Sequence, residues 1–335
     1  MVFDTKDLIE KVLQSVADHN LGRPGAYRRW SKQWQGRALE TTTNPYGCAD
    51  AANILYTIGH FPRDLQERAG WVAELQALQD GGTGMYHEET HHPIHTTAHC
   101  IAALELFDAG PAQPVTGLDD LRDAARMEGW LDALDWLKNP WTASHKGAGL
   151  YVSLVLTGAV QLAWQDRYFA WLWENSDPQT GFLRRGCVLP VQHGNTLSIF
   201  PHLAGSFHYF FNHMYARRPL RYPQAVIDTC LRIYEKNEYP LGARVGFAEI
   251  DWVFCITRSL RQCGHRFAEC QEALRSFAGR FVPFLCGLDS RDAGFDDLHS
   301  LFGALCCLAE LQQALPGLIP TERPLKNVLD RRPFT

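Results

Sequence analysis

The sequence predicts an all-α protein, an α/α toroid ((α/α)6 barrel) in which six outer–inner helical hairpins close into a ring. Three observations predict it. Apolar helices that open on a histidine, a tyrosine or an aspartate recur at near-constant spacing. Between them lie amphipathic stretches with one apolar stripe. Strand-like alternation of apolar and polar residues is nearly absent.

The repeat is plainest at residues 80–107. Asp80-Gly81-Gly82-Thr83-Gly84 is a turn, and Tyr86 to Ile94 is a histidine-rich loop. From His95 the residues Ala98, Ile101, Ala102, Leu104, Leu106 and Phe107 follow helical spacing. Equivalent starts stand at Tyr46, His145, His202, Asp251 and His299. Subtracting successive positions gives steps of 49, 50, 57, 49 and 48 residues. A period of about 50 residues built from helix pairs marks a repeat architecture. His95, Asp251 and His299 align without gaps, whereas His145 and His202 can each slide by one to three positions.

The elements follow in order. Residues 4–19 read as the first outer helix, with Asp4 and Asp7 as capping acids and Leu8, Val12, Leu13 and Val16 as its stripe. Residues 21–43 read as an irregular arm over the ring, where Tyr27, Trp30 and Trp34 alternate with Arg28, Arg29 and Lys32; the same mixture can line a pocket. Inner helix one covers 47–59, and the next outer helix 64–79 carries Leu65, Trp71, Val72, Leu75 and Leu78. Inner helix two starts at His95. An outer helix over 119–138 is stopped by Asn139-Pro140. Inner helix three covers 147–158 and outer helix four 160–175. Residues 176–201 are a long insertion, a lid or binding element. Helices at 203–215, 223–236, 247–263, 266–285 and 297–313 complete the ring, and an extended tail over 316–335 lies across it. The whole chain, 1–335, is read as one domain.

Composition narrows the function. Hydrophobic residues make up 46% of the 335, enough for a large core. A net charge of −5 gives no reason to expect a nucleic-acid partner or a polybasic membrane contact. No apolar run approaches the ~20 residues of a transmembrane segment. The first residues lack the basic start and apolar centre of a signal peptide. Ten cysteines form no CxxC pair, so a reducing cytoplasm is the expected location.

In a ring of hairpins the inner helices all point one way, and their N-termini converge on one mouth with partial positive charge. The mouth positions read Tyr46, His95, His145, His202, Asp251 and His299. Histidine suits proton transfer near neutral pH, or metal ligation. Catalysis is assigned to His95, His202, Asp251, His299, His99 and His208. His99 lies one turn below His95. His208 shares a helix face with Asn212 and Tyr215. Substrate binding is assigned to Tyr46, Asp50, His145, Tyr151, Glu249 and Trp252, with Arg184 and Arg185 of the insertion meeting acidic groups. A metal, if one binds, is expected on His202, Asp251 and His299, which come from three consecutive repeats; zinc or iron would suit two histidines and a carboxylate. The plainer readings stand beside these. One helix-starting histidine caps or hydrogen-bonds. The cluster His87, Glu88, Glu89, His91 and His92 reads as solvated. Asp119-Asp120-Leu-Arg-Asp123 reads as helix-capping acids rather than a magnesium motif.

The segments Asp80-Gly-Gly followed by His95-Thr-Thr-Ala-His-Cys-Ile-Ala-Ala-Leu-Glu-Leu106, Phe200-Pro-His-Leu-Ala-Gly-Ser-Phe207 and Asp297-Leu-His-Ser-Leu-Phe302 resemble the repeats of the protein prenyltransferase and squalene–hopene cyclase superfamily. The resemblance covers most of residues 45–315 as architecture. It departs from that family in lacking the Asp-x-Asp-Asp acid motif, the QW-type repeats and a counterpart of the zinc cysteine. It implies the toroid fold and an enzyme that cyclises, isomerises or prenylates an isoprenoid-like small substrate by acid–base or metal-assisted, non-redox chemistry. Ten tryptophans and eighteen phenylalanines would serve such a substrate. Uronate lyases and glycoside hydrolases share the architecture and give the alternative, a carbohydrate-active enzyme. A binding scaffold without chemistry is the third reading, and oligomeric state does not follow from the sequence.

Overall fold

In the computed structural model residues 2–32, 38–193 and 196–334 are described; Trp34 of the arm lies outside them. Among the described residues the protein is all-α, with one short hairpin. The inner helices are α2 (Pro45–Thr57), α4 (Pro93–Glu105), α6 (Pro140–Leu156), α8 (Phe200–Tyr215), α10 (Ala248–Cys263) and α13 (Leu298–Ala314). Around them lie α1 (Lys6–His19), α3 (Leu65–Ala77), α5 (Ala124–Asp132), α7 (Leu162–Glu174), α9 (Pro223–Glu235) and α11 (Phe267–Gly287). Two single turns, α12 (Ala293–Asp296) and α14 (Val328–Arg331), complete the helices among the described residues. Helix α2 packs on α4, α4 on α6, α6 on α8, α8 on α10, α10 on α13, and α13 again on α2.

The inner helices are apolar nearly all round, as wholly buried helices are. Their starts are set by local chemistry. Asn44 accepts from the Tyr46 and Gly47 amides, with Pro45 as first helical residue. His92 precedes Pro93, and Asn139 precedes Pro140, in the same arrangement. Proline suits this place because its missing N–H has no partner in the first turn anyway. Asn139-Pro140 was expected to stop an outer helix; it starts α6 instead, seven residues before the expected 147 (147 − 140). The outer helix expected over 119–138 is divided. A 3-10 helix, Thr116–Arg122, yields to α5 where Asp123 accepts from the Arg126 amide. Asp119 pairs with Arg122 at 2.7 Å and Asp120 with Arg126 at 2.6 Å, so this acidic run caps and pairs locally.

The insertion carries β1 (Val191–His193) and β2 (Thr196–Ser198), an antiparallel pair with Gln192 opposite Leu197. The arm lies on the N-terminal ends of α2 and α13. A Cβ on Gly47 would overlap the backbone of Arg28, so this close seating requires glycine. The Leu298 amide donates to the Arg29 carbonyl at 3.2 Å.

The tail does more than lie extended. The Lys326 amide donates to the Thr57 carbonyl at the end of α2, and Arg331 pairs with Glu105 at the end of α4 (2.7 Å). Arg258 pairs with Glu310 at 2.6 Å and also with Asp330 of α14. Past α14 the chain turns inward. Arg332 and Phe334 are fully buried, and Asn212 donates to the Pro333 carbonyl at 3.2 Å. No helix among the described residues is long and apolar enough to cross a membrane.

Candidate functional site

Tyr46, at the second position of α2, is the centre of a cluster of imidazoles. Its ring stacks against His91 at 4.4 Å and His99 at 4.9 Å between centroids, with the edge of His299 at 4.6 Å. Its hydroxyl makes a short hydrogen bond with His95 Nδ1. The Arg29 guanidinium lies 5.1 Å from the Tyr46 centroid, held by Asp297 at 2.8 Å and by Thr90 of the histidine loop at 2.7 Å.

One turn deeper on α2, Asp50 is fully buried between two histidines. His99 Nε2 donates to Oδ1 at 2.9 Å and His299 Nδ1 to Oδ2 at 3.2 Å. Burial pushes the Asp50 carboxyl up, but the charge and hydrogen bonds supplied by His299 and His99 more than reverse it, so it stays ionised. Its pull fixes both tautomers. His99 keeps a bare Nδ1, buried without a partner, and His299 keeps a bare Nε2. Burial lowers His299 to about 4 against the opposing pull of Asp50.

Beside this trio stand His95, His145 and His208 on α4, α6 and α8. The His95 and His145 centroids are 4.3 Å apart, and those of His145 and His208 4.8 Å. His208 Nδ1 lies 3.0 Å from Ser144 Oγ, whose own hydrogen goes to the Trp141 carbonyl at 2.5 Å. Nδ1 of His208 must therefore donate, which leaves Nε2 bare. Burial lowers His208 to about 3; burial, reinforced by neighbouring imidazoles, holds His95 and His145 well below the usual histidine value. Phe334 closes one side, 4.8 Å from His95, and Phe247 lies 4.5 Å from His299.

Among the described residues two groups of three could each hold a cation: His95, His145 and His208, and Asp50, His99 and His299, each with ligand atoms within 4.8 Å of one another. The set His202, Asp251 and His299 does not assemble. His202 and His208 are six residues apart, about 240° around a helix, so one excludes the other from the same face. His208 takes the cluster, and the buried His202 ring turns to the insertion backbone at Leu183 and Leu189. Asp251 turns away to Glu249. Burial and that neighbouring carboxyl hold Asp251 well above the usual carboxylate range, and both its oxygens lack a hydrogen-bond partner.

Several other expected site residues lie elsewhere. Glu249 accepts from the Gly242 amide at 3.2 Å, and burial lifts it to about 7. Trp252 donates to the Cys230 carbonyl at 2.9 Å and stacks on Tyr234, between α10 and α9. Tyr151 stacks on Tyr168 and donates to Gln165, between α6 and α7. These faces point outward because an inner helix must also pack on its outer partner. Arg184 is tied to Asn175 and Asp132, and Arg185 is exposed, so neither reaches the imidazoles. Asn212 is spent on Tyr168 and Pro333, which separates it from His208 in role.

Three contributors, His91, Arg332 and Phe334, escaped the sequence reading, while Arg29 belongs to the arm whose aromatic–basic mixture was read as able to line a pocket. His91 was read as part of a solvated loop, yet its ring stacks on Tyr46 and lies 4.9 Å from His95. Arg29, Arg332 and Phe334 come from the arm and the tail. Arg332 is completely buried, no nitrogen of its guanidinium has a hydrogen-bond partner, and burial lowers it to about 10. Phe302 lies 5.4 Å below it, and the charge of Asp50 acts on it. The signal for His91 was its place before Pro93, at a helix mouth. Compared with known proteins, the chain matches no family model, no curated protein and no solved structure.

Proposed function

We propose that the six hairpins form an α/α toroid related in architecture to the prenyltransferase and cyclase superfamily, and that its mouth is the active site of a non-redox, acid–base enzyme. The closed circuit of inner-helix contacts supports the fold. One observation carries the chemistry: Asp50 holds His299 through Nδ1 and leaves its Nε2 bare, beside Tyr46 and His91. A carboxylate-backed imidazole with a free nitrogen is a general base whose proton-accepting atom is already oriented. Tyr46, its hydroxyl shared with His95, is the acid on the opposite side. Arg332 gives the site a buried cation without a hydrogen-bond partner, which matches a substrate carrying an anionic group.

The reading favoured most is a lyase or hydrolase acting on a small polar substrate such as a sugar acid, because the groups that meet at Tyr46 are polar rings. An isoprenoid diphosphate is the second reading, favoured by Phe247, Phe302 and Phe334 against the imidazoles. The ten free thiols support a reducing, cytoplasmic location.

Turnover of uronate-containing oligosaccharides and of allylic diphosphates tests both readings. Asp50→Asn and His299→Gln should each cut kcat on the accepted substrate by about 10²–10⁴-fold, with KM little changed. Full activity in either folded variant contradicts the assignment.

A further inference from the structure

We propose that His95, His145 and His208 bind one divalent metal ion of the zinc type, with a fourth position open toward the mouth. The proposal uses the same cluster as the functional reading but does not depend on which reaction occurs there.

Geometry is the first argument. Nitrogens from three different inner helices lie within 4.8 Å of one another. Tetrahedral zinc with Zn–N bonds of about 2.0–2.1 Å needs its ligand atoms about 3.3 Å apart. Small side-chain rotations close that gap without moving a helix.

Hydrogen bonding is the second. A metal-bound imidazole usually gives its other N–H to a fixed acceptor, which sets the tautomer and the ring plane. His208 meets this condition through Ser144, whose hydrogen is already committed to the Trp141 carbonyl. His95 meets it through the Tyr46 hydroxyl. In both rings Nδ1 is the held atom, so Nε2 is the atom left for a ligand bond.

Charge is the third. Asp50, His99 and His299 are less suited to be the primary site, because their hydrogen-bonding atoms are turned on one another. That trio supplies a negative charge nearby. Phe334 against His95 and Phe207 against His208 (5.4 Å) exclude water from the inner side, whereas His145 is only half-buried and leaves the mouth side accessible.

The test is zinc and cobalt binding to the full-length, chelator-stripped protein, followed by calorimetry, elemental analysis and the visible absorption of bound cobalt. The expected result is one ion per chain with a tetrahedral cobalt spectrum. His145→Ala and His208→Gln should each weaken binding at least 100-fold, and His202→Asn should leave it unchanged. Should the ligand variants fail to fold, Ser144→Ala leaves all three ligands in place and should weaken binding about 10-fold. Folded wild-type protein that binds neither ion, or binding that survives His208→Gln or Ser144→Ala unaltered, overturns the site. Stoichiometric zinc in a protein that turns over nothing leaves this site standing and removes the catalytic reading. Turnover with neither ion bound does the reverse.

Discussion

A carboxylate taken out of water costs several kcal/mol unless donors meet its oxygens, and at Asp50 the donors are His99 and His299. Arg332 is the contrasting case, a buried guanidinium with no hydrogen-bond partner. It costs stability, and an anionic ligand would relieve the cost. Replacing it with leucine should raise the thermal midpoint, by about 1–4 kcal/mol of stability, while weakening any anionic ligand. A lowered midpoint with ligand affinity intact would mean that Arg332 serves packing alone. Seven members of the cluster, Tyr46, Asp50, His95, His99, His145, His208 and His299, were named from the sequence, because helical spacing marks one end of each inner helix. His202 and Asp251 were named with them and lie elsewhere. A helix turns about 100° per residue, so the sliding alignment of His202 left the inward side of α8 open, whereas Asp251 aligns without gaps and still turns to Glu249 rather than to the imidazoles. Arg29, His91, Arg332 and Phe334 follow no period at all; only the folded arm, loop and tail bring them in.

Helix starts were placed late because no cap was read together with its proline, and one was misplaced where proline was read as a stop. Asn139-Pro140 has the same form as Asn44-Pro45, and both open helices. Two buried groups away from the cluster give elements α8 and α10 opposite responses to pH. His213 of α8 is lowered by burial from 6.5 to about 4. Between those values the unfolded chain holds a proton that the folded one lacks, so stability falls as pH drops from about 6.5 to about 4. Glu249 of α10 is raised by burial from 4.5 to about 7. Its contribution is full below about 4.5 and is lost as pH rises through about 7. Each effect is on the order of 3 kcal/mol at its limit. Thermal midpoints measured from pH 4 to 8 should show His213→Gln flattening the acid side and Glu249→Gln flattening the neutral side. Profiles parallel to the wild type would show that neither group is held as described.

At the scale of the molecule, the period of about 50 residues told that six helix pairs exist, because each pair must bury an apolar face against the next. It did not tell what fills the space between them. The tail crosses the far ends of α2 and α4 and returns inward to place Phe334 against His95. The arm approaches from the other side and places Arg29 over Tyr46. Imidazoles from separate repeats are thus enclosed from both ends, which is why burial dominates their protonation. Nitrogen-15 spectra of the histidine side chains, recorded from pH 8 to 5 in wild-type protein and in Asp50→Asn, test this enclosure most directly. The account predicts that His99 and His299 stay neutral throughout in the wild type, protonated on Nε2 and Nδ1 respectively, and that these tautomers are lost in Asp50→Asn. Ordinary titration of both rings near pH 6.5, unchanged by the substitution, would contradict it.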